Sequence, residues 1–227
     1  MSTVGRIEQK LDKVERLLNL WDVYGTPAAS LTWGVDGAEE KFVLSGIKGE
    51  KMTARVLDSF VAAHDGVKVF HSVRWPGSRG DTDHVILVGN TVIIIDSKRW
   101  KKKRTYSVTA HGNIMRGTVR FDAGKIKMLP AMAAWREVLP NECTVIGLVC
   151  VAQDAVWVTY NDNWKKAPFK LVTVSELPNL LDRIVASALA KPVDRTARLV
   201  AGYYLLKNLI EPKPEPPKPT LDLKINR

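Results

Sequence analysis

The run Val92-Ile93-Ile94-Ile95-Asp96-Ser97-Lys98 constrains this chain more than any other stretch. Four consecutive β-branched residues read as a central strand buried on both faces. That strand runs straight into a carboxylate and an ammonium. Gly89 and Asn90, just upstream, both tolerate positive φ and mark a tight turn. Thr82–Val88 and Val92–Lys98 are therefore predicted to form an antiparallel hairpin. Side chains alternate along a strand, so Asp96 and Lys98 share a face. Asp83 stands near the start of the first hairpin strand and Asp96 near the end of the second, and in an antiparallel pair those two ends are neighbours.

Carboxylates placed this close repel unless a cation neutralises them. A hard divalent ion with oxygen ligands does so, with Mg²⁺ the default, and the backbone carbonyl of Ser97 is expected to add a ligand. Acidic groups at the end of an apolar strand carry a free-energy cost. Chains accept that cost mainly at functional sites. The plainer reading is that Asp96 ends a strand and caps the turn before a basic loop. Asp83 at hairpin distance and Glu50 on a preceding helix favour the functional reading.

The remaining pattern predicts a mixed α/β core with helical additions at both ends. Gly5–Trp21 reads as a charged amphipathic helix. Ile7, Leu11, Val14, Leu18 and Trp21 form an a/d seam that either pairs two subunits or docks on the same chain. Residues 24–39 read as irregular connection, and Ser45–Glu50 as a turn entering a helix whose buried face carries Met52, Val56, Phe60 and Val61. Val67–Val73 is a strand, and Tyr106–Thr118 a hairpin turning at His111-Gly112-Asn113. Ala123–Val138 is a helix broken or kinked at Pro130, and Thr144–Ala152 is an apolar strand. Residues 157–173 suggest a strand pair around Asn161-Asp162-Asn163. Ser175 and Asp194 are expected to cap helices over Leu177–Leu189 and up to Ile210. Five prolines crowd residues 211–219, which makes an extended polyproline-like tail. The expected division is a helical arm at 1–22, a core at 40–174, a C-terminal helical unit at 175–210 and the Pro-rich tail at 211–227.

Thirty-four Lys and Arg against 24 Asp and Glu give a formal charge of +10. That balance favours an anionic partner, nucleic acid being the commonest. The two cysteines, Cys143 and Cys150, sit in or beside an apolar strand and form no CxxC pair. They read as small apolar residues rather than a disulfide or a zinc site. The N-terminus has no apolar leader, and no run approaches the roughly 18 apolar residues of a membrane span. A cytoplasmic location is expected, with no membrane partner.

Three segments together resemble a known family. Gly46-Ile47-Lys48-Gly49-Glu50, Gly80-Asp81-Thr82-Asp83-His84-Val85 and Ile94-Ile95-Asp96-Ser97-Lys98-Arg99-Trp100 are similar to the motifs of the NERD (nuclease-related) domain, a branch of the PD-(D/E)XK nuclease superfamily. The resemblance spans Leu44–Val151. It implies a restriction-endonuclease-like fold, a mixed central sheet flanked by helices. It implies that Glu50 assists metal or water binding, that Asp83 and Asp96 are metal ligands, and that Lys98 is the catalytic lysine. The implied activity is Mg²⁺- or Mn²⁺-dependent hydrolysis of phosphodiester bonds in nucleic acid, DNA above all, leaving a 5′-phosphate. The alternative is a non-catalytic nucleic-acid-binding or assembly protein that retains the nuclease fold. One departure stands out. Many NERD sequences carry Asn-Pro and then Gln where this chain has Asp122-Ala123-Gly124-Lys125, and Lys125 is expected to serve as a phosphate contact instead.

Lys98–Arg104 holds six positive charges in seven residues. Arg99, Lys101, Lys102, Lys103 and Arg104 are expected on phosphates, with Trp100 stacking on a base. Arg74, Arg79, Arg116 and Arg120 extend the basic surface. His84 is read as a partner that orients Asp83 from behind. His64, His71 and His111 receive no role, Gln153 reads as an ordinary strand-end residue, and Trp135 and Trp157 read as core.

Overall fold

The structure, a computed structural model, describes residues 3–31, 38–121 and 127–212. In chain order the elements begin with α1 (Thr3–Leu20), β1 (Val23–Tyr24), α2 (Ala38–Ala62), β2 (Val67–Arg74), β3 (Asp81–Val88), β4 (Thr91–Lys98), β5 (Arg104–Val108), β6 (Ile114–Arg116) and β7 (Val119–Arg120). They continue with α3 (Met128–Val138), β8 (Thr144–Val151), β9 (Val156–Val158), α4 (Asp162–Lys166), β10 (Lys170–Thr173), α5 (Leu177–Leu189) and α6 (Arg195–Lys207).

A mixed six-stranded sheet in the order β1-β2-β3-β4-β8-β10 forms the centre. β2, β3 and β4 run antiparallel, whereas β4, β8 and β10 are parallel. A smaller sheet, β7-β6-β5-β9, stands beside it. The expected hairpin is present, with Gly89 at φ 52° in its turn.

Residue parity on β4 divides the core in two. Val92 and Ile94 pack with Val85, Leu87 and Val149 against α1, α3 and α6. Ile93 and Ile95 pack with Ile86 and Leu148 against α2 and α5. Each of these isoleucines is essentially fully buried, worth about 1.5–3 kcal/mol apiece. That packing on both faces fixes where the polar end of β4 emerges. Gly147 lets α3 approach β8 closely, since a Cβ there would lie 2.6 Å from Met132 Sδ.

Several elements depart from the sequence expectation. α2 starts at Ala38 and runs unbroken through Ser45–Glu50, so Gly46 and Gly49 are helical rather than part of a turn. Val23–Tyr24 is a short strand parallel to β2. Pro130 falls in the first turn of α3, where its missing N–H had no intrahelical partner, and so it causes no break. Asn161 is not a hairpin turn but an N-cap. Its side chain accepts from Trp164 N at 3.1 Å and starts α4. Glu176, rather than Ser175, stands at the N-cap position of α5. Helix α6 ends at Lys207, and Leu209 then bridges to Val73. Trp157 is 55% exposed, not core, whereas Trp135 is fully buried. Lys125, the start of the helix expected at Ala123, and the tail beyond residue 212 lie outside the described residues.

The N-terminal seam docks on its own chain. Val14 and Leu18 are buried in the same core as Leu199 and Leu205 of α6, and Leu18 fills the notch at Gly202. Arg195 clasps Asp12 and Glu15 from the start of α6. Ile7 and Trp21, the two ends of the seam, remain exposed. No described helix is long and apolar enough to cross a membrane.

Candidate active site

The register of the hairpin sets the site. His84 pairs with Ile95, so the next step along both strands brings Asp83 opposite Asp96. Both share the parity of Val85 and Ile94, and their side chains leave the sheet on the α3 face, where Lys98 also points. Like charges directly opposite each other destabilise a sheet, and the local contacts only partly relieve this. Lys98 Nζ donates to Asp96 Oδ1 at 2.7 Å and to the Ser97 carbonyl at 3.4 Å. Asp83 Oδ2 accepts from the Ser97 backbone N–H at 2.6 Å. Glu50, delivered by α2, is only 5% exposed. Its Oε2 and Asp96 Oδ2 are buried without a hydrogen-bond partner.

The electrostatics follow from this crowding. Burial pushes the Asp83 carboxyl well above the usual range, and the neighbouring Glu50 and Asp96 push it further. Burial also raises Asp96, although Lys98 opposes the rise. Glu50 is pushed up to about 7 by burial and by Asp81. Burial works against the Lys98 ammonium, but Asp96 and Asp83 outweigh it, so its pKa is raised and it stays charged. These groups line a cleft of about 820 Å³ that Arg99, Trp100 and Trp75 also border.

Among the described residues, no three His, Cys, Asp or Glu side chains converge as a ready-made metal cage. Asp83, Asp96 and the Ser97 carbonyl could instead offer an open oxygen set of the kind Mg²⁺ accepts while retaining waters. Lys98 Nζ contacts two of those oxygens, Asp96 Oδ1 and Ser97 O. The unpartnered oxygens of Glu50 and Asp96 leave lone pairs that a cation could take.

Supporting residues hold these groups in place. Arg99 Nε donates to Gln153 Oε1 at 2.9 Å, and the Arg99 stem crosses Gly49, where a Cβ would lie 3.1 Å from its Cγ. Gln153 thus bonds to Arg99, which borders the cleft. Trp75 Nε1 donates to Thr82 Oγ1 at 3.0 Å, and its ring lies so close on Gly80 that a Cβ would stand 2.6 Å away. Ser72, at φ 53°, takes a left-handed backbone inside β2. Its hydroxyl ties down Thr26 and Ala29 of the loop leading to Ser30 and Leu31 in the cleft wall.

One expectation needs correction. His84 does not touch Asp83. Its parity places it on the opposite face of the sheet, where Nε2 meets Ser97 Oγ at 3.2 Å. Trp100 borders the cleft, half-buried, with its ring packed on Tyr106 at 4.6 Å and edge-on to Phe121 at 5.2 Å. Lys101, Lys102 and Lys103 are exposed beside the cleft, Lys103 being tied through its backbone N–H to the Ala155 carbonyl.

Residues 45–152 match the family model of the NERD domain, described as the nuclease-related domain. This chain carries a NERD domain. No curated protein and no solved structure is significantly similar to the chain. The NERD match covers α2 from Ser45 onward, the β2–β4 sheet, the β5–β7 ribbon, α3 and β8, and so takes in Glu50, Asp83, Asp96 and Lys98. Helices α5 and α6 lie beyond it but cover the same sheet.

Strand parity and hairpin register are periodic, so sequence reasoning could place Asp83, Asp96 and Lys98 on one face. It missed His71, which meets His84 across β2 and β3 through Nδ1···Nδ1 at 2.7 Å. It also missed the bond between Arg99 and Gln153. Both depend on which strands lie side by side, and no local pattern announces that.

Proposed function

We propose that the NERD domain of this chain is a metal-dependent nuclease that hydrolyses phosphodiester bonds, with DNA as substrate. The observation that carries this reading is the pair of cross-strand carboxylates, Asp83 and Asp96, held in one cleft with charged Lys98 and with two buried carboxylate oxygens lacking any partner. Asp83, Asp96 and the Ser97 carbonyl are the residues that would hold Mg²⁺ or Mn²⁺. When bound, such an ion polarises a phosphoryl oxygen and lowers the pKa of coordinated water.

The protein's own groups do the rest. Glu50, poised near neutrality at about 7, takes a proton from the attacking water. Lys98, kept protonated by its carboxylate neighbours, orients that water and balances charge on the phosphate instead of acting as the base. Arg99, braced by Gln153, binds a phosphate oxygen. Lys101, Lys102, Lys103 and Arg104 attract the flanking backbone from outside the cleft.

Incubation of linear, circular and single-stranded DNA with Mg²⁺, Mn²⁺ or EDTA tests the reading. Cleavage with either ion and none in EDTA or in Asp96→Ala is expected. DNA binding without cleavage under every metal condition would contradict it and favour a non-catalytic binding module.

A further inference from the structure

Behind the carboxylates, on the α2 face of the sheet, runs a second polar system that the proposed chemistry does not use. Asp58 of α2 contacts His71 Nε2 at 2.9 Å. His71 Nδ1 meets His84 Nδ1 at 2.7 Å. His84 Nε2 meets Ser97 Oγ at 3.2 Å. His71 and His84 are 1% and 0% exposed, and Ser97 is 8% exposed. Only Asp58 reaches solvent, its side chain 44% exposed.

A contact between two imidazole Nδ1 atoms at this distance admits a single proton, since two would clash and none would leave two lone pairs facing each other. Both rings are at most 1% exposed, where an unsolvated imidazolium is costly, so both are neutral. With the Asp58 carboxylate accepting from His71 Nε2–H, His71 Nδ1 is bare. His84 Nδ1 then carries the shared proton and Nε2 accepts from the Ser97 hydroxyl, with the Glu50 backbone carbonyl also beside the ring. One exposed carboxylate thus selects the proton order of the whole chain.

Ser97 is where the two faces meet. Its side chain ends the histidine chain, its N–H holds Asp83, and its carbonyl is one of the proposed metal donors. We propose that Asp58, His71 and His84 are positioning residues whose hydrogen-bond order fixes Ser97, and through it Asp83 and the carbonyl, for a divalent cation. This inference rests on the proposed metal-binding reading.

Asp58 gives the cleanest test, because it is exposed and stands away from the cleft. Mn²⁺ affinity without substrate and the kinetics of DNA cleavage are measured for the wild type, Asp58→Ala and Asp58→Asn. Asp58→Ala is expected to weaken Mn²⁺ binding about tenfold and to lower kcat with KM unchanged, its melting temperature staying close to wild type. Asp58→Asn keeps an acceptor for His71 Nε2–H and is expected to recover most of both losses. Wild-type Mn²⁺ affinity in Asp58→Ala would overturn the inference and leave the nuclease reading standing, and so would an Asn variant as impaired as Ala. A wild-type protein that binds no Mn²⁺ would overturn both.

Discussion

The two faces of the sheet end handle polar groups in opposite ways. On the α2 face, Asp58, His71, His84 and Ser97 Oγ form a chain in which every member has a partner. On the α3 face, a few ångströms through the same strands, Asp83 and Asp96 stand side by side, and a buried oxygen of Asp96, like one of Glu50, has none. Hydrogen-bonded buried groups make a scaffold, whereas unpaired buried charge is costly and persists where something else neutralises it. The contrast suits the carboxylate face to the proposed chemistry and the histidine face to the proposed positioning role.

Substitution should separate the faces most sharply in activity. Asp96→Ala or Lys98→Ala is expected to abolish metal-dependent cleavage, a loss on the order of 10³-fold or more, with near-native circular dichroism. Retained cleavage in both variants would erase the distinction between the faces. On the opposite face the buried histidines, unlike exposed Asp58, should respond in stability as well. His84→Ala strands His71 and Ser97 Oγ and leaves a cavity, which should cost about 2–4 kcal/mol in denaturant unfolding.

The pH dependence should also differ. Glu50 has a folded pKa of about 7, above its unfolded value. Its contribution to stability is therefore fully present below the ordinary glutamate range and is lost as pH rises through 7. The metal-free protein should melt at lower temperature at pH 8 than at pH 5, by an amount that reflects up to about 3 kcal/mol from this group. Added Mg²⁺ should reverse part of that loss. Glu50→Gln should flatten the profile while lowering activity, and a melting temperature insensitive to pH in the wild type would show that Glu50 is not strained. The smallest effect belongs to the brace on Arg99. Gln153→Ala should raise KM for DNA a few-fold with little change in melting temperature.

Much of this site was legible in the sequence. A β-branched run ending in Asp-x-Lys, with a Gly-Asn turn before it, fixes strand, face and register by period alone. Glu50 was legible as helical, although the helix begins earlier than Gly46 and Gly49 suggest. At Gly49 a Cβ would crowd the Arg99 stem at 3.1 Å, whereas at Gly46 it would make only ordinary contact with Leu31. The histidine chain was not legible, because His71 and His84 sit thirteen residues apart with nothing in either segment to announce the other. The packing around Trp100 was not legible for a similar reason, since Tyr106 and Phe121 reach its ring only once the small sheet has folded against it. Local pattern shows which face a residue takes, and the neighbours on that face come from topology.

The central claim is that Asp83, Asp96 and the Ser97 carbonyl share one divalent cation. Anomalous diffraction from a crystal soaked in Mn²⁺ tests it directly. A peak within coordinating distance of all three oxygens is the expected result. No peak there, with the three oxygens still held by Lys98 and the Ser97 N–H at high Mn²⁺ concentration, would contradict the account.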